Sequence, residues 1–536
     1  MQFTVLSDTH YISRRMIADP DNKELNLQPA VTEQAVRQAA ENADVLLITG
    51  DLTDNGDIYS HEDFSAFLRE IKAQGKKIYV IFATHDYHHF KAYVQKYGEK
   101  IKYKSSPWNT PWFEKDKACW HDYVADEFSS LSEDKCAPQL VEAASPEKIW
   151  EMYREFGPDE AYSVHESSFS YCIDLDENTR CLMLNDIFRN IEAIDISANY
   201  SPECLKWIKQ MYDEAQRDGK FIFVCSHHPL VPPAPAYRLG TKNNKNMRAP
   251  VVGHTLADIG INLAFTGHSH FCNVEYMKSE KGNLLCDITV PGARFYPPAY
   301  RQIDLDGKNG IIKYNCVYVN TPNNCTLAES TLLEHYHNEF YNKYYKSITG
   351  KNTFVKKLMD NLTIGDIYFL VKSKANLSAA EYNAVKDVKI FDLLIETAFN
   401  MLVGDGRFTP DTPEYKVLMP LCAKLDSIID TQPFVDIKKK YLGGYSVSQV
   451  IEPMLFNNSV SDIEAEFNFT ALPEKNVETP VYTSHAGDVL MGIIYAIAVM
   501  LSFLCPAAAA VGIPLITIKK KLMEKKKSTG PNWKYI

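Results

Sequence analysis

Paired cysteines are missing from this chain of 536 residues: its twelve cysteines (119, 136, 172, 181, 204, 225, 272, 286, 316, 325, 422 and 505) form no Cys-x-x-Cys and no tight cluster. That excludes a zinc knuckle and a small disulfide scaffold, and leaves reduced, partly buried thiols as the expectation. Positive charge is also short, with 57 Lys and Arg against 68 Asp and Glu and a net charge of −11. Wrapping nucleic acid needs basic patches that release counterions, so that function class is excluded, whereas a small anion needs only a local positive site. The opening residues, MQFTVLSDTH, hold neither a basic segment nor a long apolar one, so no secretory signal is expected and the default location is cytosolic. No internal repeat is found. What is present is a composition of 45% hydrophobic and 12% aromatic residues, enough for two or three domains with sizeable cores. Mean hydropathy is −0.26, yet residues 489–518 contain no Asp, Glu, Lys, Arg or His, a run long enough to cross a bilayer.

The first 320 residues alternate short runs of Val, Ile, Leu and Phe with longer helical patterns. Residues 3–7, 45–49, 77–82, 168–173, 180–185, 221–226 and 261–266 read as strands buried on both faces. Helices are expected over 32–42, 62–74, 201–217 and 249–259, the third opened by Ser201 as cap with Pro202 in the first turn. This order points to an α/β sandwich. A Trp- and Tyr-rich segment at 98–165, with Trp108, Trp112, Trp120, Tyr123, Trp150 and Tyr153, is too long for an ordinary connection and reads as a cap-like insertion. Beyond Val319 the β pattern stops and helices are expected over 334–346, 378–403 and 414–429, with Ser378-Ala-Ala-Glu381 as a capping box.

Five clusters of metal-type side chains each follow directly on an expected strand: Asp8-Thr9-His10, Gly50-Asp51, His85-Asp86, His227-His228 and Gly267-His268-Ser269-His270. Taken singly, a D-x-H is a helix cap with a surface histidine, and Gly-Asp is an ordinary turn. Taken together, five independent turns do not select this ligand set in this order. The carboxyl ends of strands in an open α/β sheet share one crevice, so the five clusters are brought to one site. Carboxylates mixed with imidazoles suit Mn²⁺, Fe²⁺ or Zn²⁺ rather than an all-oxygen calcium cage.

The set resembles the calcineurin-like metallophosphoesterases over roughly the first 300 residues, standing as Asp8-Thr9-His10, Gly50-Asp51, Ala83-Thr84-His85-Asp86, His227 and Gly267-His268-Ser269-His270. The resemblance implies a β-sandwich flanked by helices and two divalent metal ions. Asp8, His10, Asp51 and His270 would hold the first ion, and Asp51 would bridge to a second held by His227 and His268. His85 would be the catalytic histidine. Asp86 beside it either orients the ring or serves only the turn. The implied activity is hydrolysis of a phosphomonoester or phosphodiester by a water activated between the metals. One departure stands out: where the family motif G-N-H-D carries Gly and an Asn ligand, this chain carries Ala83 and Thr84. A hydroxyl is a poorer neutral ligand than an amide oxygen, so weaker occupancy of the second site is expected. That departure and the uncharacterised helical region motivate a rival reading, a weakened membrane-attached binding or sensing module on the same fold. Arg189, Arg238, Arg248 and Arg294 are candidate phosphate contacts, and the rigid Pro-rich segment 229–235 leading into Tyr237 favours Arg238. Tyr87, His88 and His89 either line a pocket or pack beneath the insertion.

The apolar run is followed by Lys519, Lys520 and Lys521 and then Lys525, Lys526 and Lys527, as expected of a membrane segment with a basic tail facing anionic lipid. Cys505-Pro506, Gly512 and Pro514 interrupt it, so a re-entrant hairpin with both ends cytosolic competes with a tail-anchored span. The expected organisation is a metallophosphoesterase domain at 1–320, a helical region at 321–488, a membrane segment at 489–518 and a basic tail at 519–536. The expected partners are a phosphate-ester substrate and membrane lipid, with the catalytic domain at the cytoplasmic face.

Overall fold

The computed structural model describes residues 1–17, 23–54, 56–87, 145–186, 188–190, 193–195, 200–233, 251–349, 360–406, 408–430, 445–455 and 460–472. The first sheet contains β1 (Gln2–Leu6), β2 (Val45–Ile48) and β3 (Lys77–Val80), which run parallel. The second is built around β4 (Ser163–His165), β5 (Ser170–Asp174) and β6 (Thr179–Met183), while β7 (Phe188–Asn190) and β8 (Ala193–Asp195) form a separate ribbon. Next come β9 (Phe221–Cys225), β10 (Leu263–Thr266), β11 (Asn273–Lys278) and β12 (Leu284–Thr289), all in the second sheet. The chain then returns to the first sheet with β13 (Ala299–Asp306), β14 (Ile311–Tyr318) and β15 (Glu464–Asn468). The strand orders are β15-β14-β13-β1-β2-β3 and β11-β12-β10-β9-β6-β5-β4.

The sheets face each other through aromatic side chains. Phe3 of β1 stacks on Phe223 of β9 and meets Phe265 of β10 edge-on, with both centroid separations 5.6 Å. Each such ring fully withdrawn from water contributes about 1.5–3 kcal/mol, and an aromatic pair adds about 0.5–1.5. Helices flank the sandwich. The helix Pro202–Arg217 starts as its sequence predicts, with Ser201 Oγ accepting from Cys204 N at 3.1 Å. It buries Cys204, Ile208, Met211 and Ala215, one stripe at helical spacing. This agrees with the α/β sandwich expected from the alternation of strands and helices.

Four local expectations differ from the structure. The first helix runs Lys23–Asn42, starting well before residue 32 and holding Pro29 inside it. The segment expected as one helix over 378–403 is two, Ala379–Val385 and Ile390–Val403. Backbone groups at the break pair with another segment, Ile364 N with Val388 O at 2.9 Å and Ile390 N with Leu362 O at 3.0 Å. The β pattern does not end at Val319, since β15 pairs antiparallel with β14. Of the insertion expected at 98–165, residues 98–144 lie outside the described residues, and the remainder contributes side chains to the core. Ile149, Trp150, Tyr153 and Phe156 are buried, and Trp150 stacks on Phe169 at 5.1 Å.

Residues 360–455 have a core of their own, including Ile364, Leu393, Val417, Leu421 and Val450. The apolar run at 489–518 lies outside the described residues. Among the described residues no helix is long and apolar enough to cross a membrane.

Candidate metal centre

The five clusters all stand at carboxyl ends of strands: after β1, β2 and β3 in one sheet and after β9 and β10 in the other. There they converge. Asp8, His10 and His270 bring one ligand atom each to within 4.8 Å of one another, as do Asp51, His227 and His268, and as do His10, Asp51 and His85. His270 Nε2 lies 3.1 Å from Asp8 Oδ1, and His10 Nε2 lies 3.7 Å from the same oxygen. Asp51 Oδ2 is 3.6 Å from His10 Nε2 and 3.2 Å from His227 Nε2, which puts this carboxylate between the two groups.

The backbone is bent to make this possible. Asp8, His10, Asp51, His268 and His270 have φ between 40° and 62°, the left-handed region. Each such non-glycine residue costs of order 1–3 kcal/mol, a strain found where function imposes it. Gly50, at φ 96°, abuts His227, and a Cβ there would come within 3.0 Å of His227 Nδ1.

Two atoms test whether metal ions fit. His10 Nε2 and His227 Nε2 are buried without a hydrogen-bond partner. The other nitrogen of each ring has an acceptor, Asp54 Oδ1 at 3.2 Å for His10 and the Thr49 carbonyl at 2.9 Å for His227. Those partners accept only, so each Nδ1 carries a hydrogen, and each Nε2, facing the carboxylates, is the atom that becomes a ligand once a cation displaces its proton, the arrangement of a metal-ligating histidine. The donor set therefore fits divalent cations.

The electrostatics agree. Burial works against charge on His10, but its hydrogen bond to Asp54 and the nearby carboxylates of Asp8 and Asp51 raise it to about 9. Burial likewise opposes charge on His227, and the Asp51 carboxylate raises it to about 10. Asp8 and Asp51 are held well below the usual carboxylate range despite burial, by the charges of His270 and of His227 and His85 respectively. A cation binding here displaces protons from the imidazoles. Burial and the neighbouring His228 and His227 charges push His268 well below its ordinary value, leaving it neutral.

His85 sits beside this group, its ring 4.4 Å from that of His10, with Nδ1 donating to the Asp54 carbonyl at 2.7 Å. The orienting partner is thus a backbone carbonyl, which corrects the ring-orienting role expected of Asp86 and leaves it the turn residue. The Asp86 carboxylate is buried and accepts from Ala83 N at 2.8 Å and Thr53 N at 2.9 Å, so it shapes the turn that carries His85. Burial and the Asp51 charge raise it to about 7. Thr84 Oγ1 lies 3.5 Å from Asp51 Oδ1. Arg238, Arg248, His88 and His89 lie outside the described residues. Arg294 is close to the site but bound to Gln28 and Asp54.

Sequence reasoning missed Asp54 and Asp186. Asp54 lies three residues after Asp51 and reads as a turn residue. Asp186 Oδ1 pairs with His228 Nδ1 at 3.0 Å, and its other oxygen accepts from His228 N and Ser226 Oγ. The His228 ring stands 4.1 Å from that of His268. An Asn-Asp after an apolar strand was the available signal, and it is a common turn.

Two facing sheets with carboxylates and imidazoles converging on their strand ends define an α/β sandwich with a candidate metal centre. The chain belongs to the calcineurin-like phosphoesterases, whose family model matches residues 1–272. Among solved structures it is similar to a dimetal phosphatase from Danio rerio, at 13% identity and a TM-score of 0.36, covering 59% of this chain and 95% of that one. It is also similar to a purple acid phosphatase from yellow lupin seeds, at 11% identity and a TM-score of 0.33, covering 60% of this chain and 51% of that one. A 5'-nucleotidase precursor from Thermus thermophilus matches at 11% identity and a TM-score of 0.29, covering 68% and 61%. No curated protein matches the chain.

Proposed function

We propose that this protein hydrolyses phosphomonoester or phosphodiester bonds with the aid of two divalent ions of the manganese, iron or zinc type. The observation that carries the reading is the pair of buried, unpartnered nitrogens, His10 Nε2 and His227 Nε2, on either side of Asp51 Oδ2. Asp8, His10, Asp51 and His270 would hold the first ion; Asp51, His227 and His268, with Thr84 in place of the usual amide, would hold the second. The ions supply a water acidic enough to attack phosphorus and positive charge for the phosphoryl oxygens. His85, its Nδ1 proton committed to the Asp54 carbonyl, presents Nε2 to the leaving oxygen and stabilises or protonates it. Asp86 contributes by holding the backbone of that turn. From the sequence alone the reading adds Arg238 as a phosphate contact. It also adds attachment to a membrane through 489–518 with the catalytic domain at the cytoplasmic face.

Turnover of nitrophenyl mono- and diesters with added Mn²⁺, comparing wild type with Asp51→Asn, tests it. Removing the bridging carboxylate is expected to cost several kcal/mol of transition-state stabilisation, roughly a thousandfold in kcat/KM. Indistinguishable rates favour the weakened binding module instead. That second reading draws on Thr84, whose hydroxyl lies toward Asp51 at 3.5 Å. Thr84→Asn is expected to tighten second-site Mn²⁺ binding in a calorimetric titration, and equal affinity in the two proteins removes the argument from Thr84.

A further inference from the structure

Arg294 is 7% exposed, and its charge is spent inside the protein. Nη1 donates to Gln28 Oε1 at 2.6 Å and Nη2 to Asp54 Oδ1 at 3.1 Å, while the guanidinium lies 5.0 Å from the Phe295 ring. Its Nε is buried without a partner. The guanidinium is engaged by protein at both ends of its fork rather than held open for a phosphate.

Asp54 links it to the chemistry. The oxygen that accepts from Arg294 is also the one that pairs with His10 Nδ1, and the Asp54 carbonyl holds His85 Nδ1. Phe295, the next residue, stacks on His270 at 4.3 Å and meets His10 edge-on at 4.8 Å. The segment bearing both is clamped by the C-terminal helices. Tyr296 packs with Phe391, Ile395 and Phe399, its ring 5.4 Å from Phe399 and 5.5 Å from His337.

We propose that Arg294 is a positioning residue of the metal centre. By fixing Asp54 between His10 and His85, it sets the tautomer and plane of a metal ligand and the aim of the catalytic histidine. A histidine ligand is oriented by the acceptor on its other nitrogen, and that acceptor is itself steered by the donor that shares it. A lysine cannot span Gln28 and Asp54 as the planar fork does. The helical region acquires a role here, since its packing holds the segment that delivers Arg294.

The inference rests on the metal-centre reading, and the test separates the two. In the full-length chain, Mn²⁺ affinity is titrated alongside kcat, KM and the pH profile for a nitrophenyl ester, with circular dichroism as a check on folding. Arg294→Gln is expected to weaken Mn²⁺ binding about tenfold and lower kcat, leaving KM for the ester within about twofold. Arg294→Lys is expected to fall between. With Asp54→Ala in place, adding Arg294→Gln is expected to change nothing further, because both act through one path. A raised KM with unchanged Mn²⁺ affinity marks a phosphate contact and overturns the proposal, as do fully additive losses in the double variant. Mn²⁺ binding that follows the expected pattern without ester turnover sustains this inference while ending the hydrolytic reading. A wild-type chain that binds no Mn²⁺ ends both.

Discussion

A neutral histidine beneath the catalytic turn makes stability depend on pH. His61 is fully buried, with Nε2 3.0 Å from the Asp86 carbonyl and Nδ1 3.3 Å from the Tyr153 hydroxyl. Burial depresses it to about 4 against an ordinary 6.5, with the Asp86 carbonyl opposing only in part. The unfolded chain therefore takes up the proton first as pH falls. The neutral side chain's contribution is intact above 6.5 and is lost progressively toward 4, by roughly 3 kcal/mol. Chemical denaturation of wild type and His61→Gln across that window checks this: their stability difference is expected to shrink as pH drops, and a constant difference contradicts it. His61 also shows what a sequence hides. His10, His85, His227, His268 and His270 were legible because each follows an apolar run and has a Gly, an Asp or another His within two residues. His61 lies inside a helix, and its burial depends on Tyr153, far away in sequence. Asp54 was illegible for the same reason, since its partners come from three distant segments.

At the level of elements, the strand ends were readable and their geometry was not. The seven expected strands are apolar runs buried on both faces, a signal that survives without knowledge of partners. β15 has the pattern Glu-Ala-Glu-Phe-Asn at a sheet edge, half exposed, and becomes a strand only by pairing with β14. The left-handed turns that aim Asp8, Asp51 and His270 leave no mark in residue type, because none of them is glycine. The glycine of the Gly-His-Ser-His turn serves a different need. A Cβ on Gly267 would lie 1.8 Å from Ser7 Oγ and 2.7 Å from Asp8 Oδ2, in the hydrogen bond by which Ser7 holds Asp8 at 2.6 Å. Gly267→Ala must therefore displace Asp8 and the end of β1 together. It is expected to weaken first-site Mn²⁺ affinity by at least about tenfold and to lower stability by about 1–3 kcal/mol. Unchanged metal binding in the variant would show that the turn relaxes elsewhere.

On the scale of the whole molecule, a boundary drawn where the β pattern fades does not coincide with a physical one. Residues 460–469 return to the first domain after the helical region. Phe469 is buried in the sandwich core, and Cys316 N donates to Ile463 O at 2.8 Å. Arg301, fully buried in β13, donates to the Asp462 carbonyl and to the Thr289 carbonyl, while Asp462 Oδ1 accepts from Val274 N at 2.7 Å. A chain cut at residue 330 keeps every proposed metal ligand but loses these partners. Arg301 then keeps the Thr289 carbonyl but loses its charge-assisted hydrogen bond to the Asp462 carbonyl, at about 1.5–3 kcal/mol, and exposing the Phe469 site costs about 1.5–3 more. Domains are stable by about 5–15 kcal/mol, so the loss takes a substantial share of that margin. A chain ending at residue 330 is expected to lose its cooperative melting transition, whereas one ending at residue 472 retains it. Equal melting midpoints for the two would show that the sandwich closes without its returning strand. Calorimetry on the two truncations makes the comparison directly, and Mn²⁺ added to the shorter chain separates loss of the fold from loss of ligands.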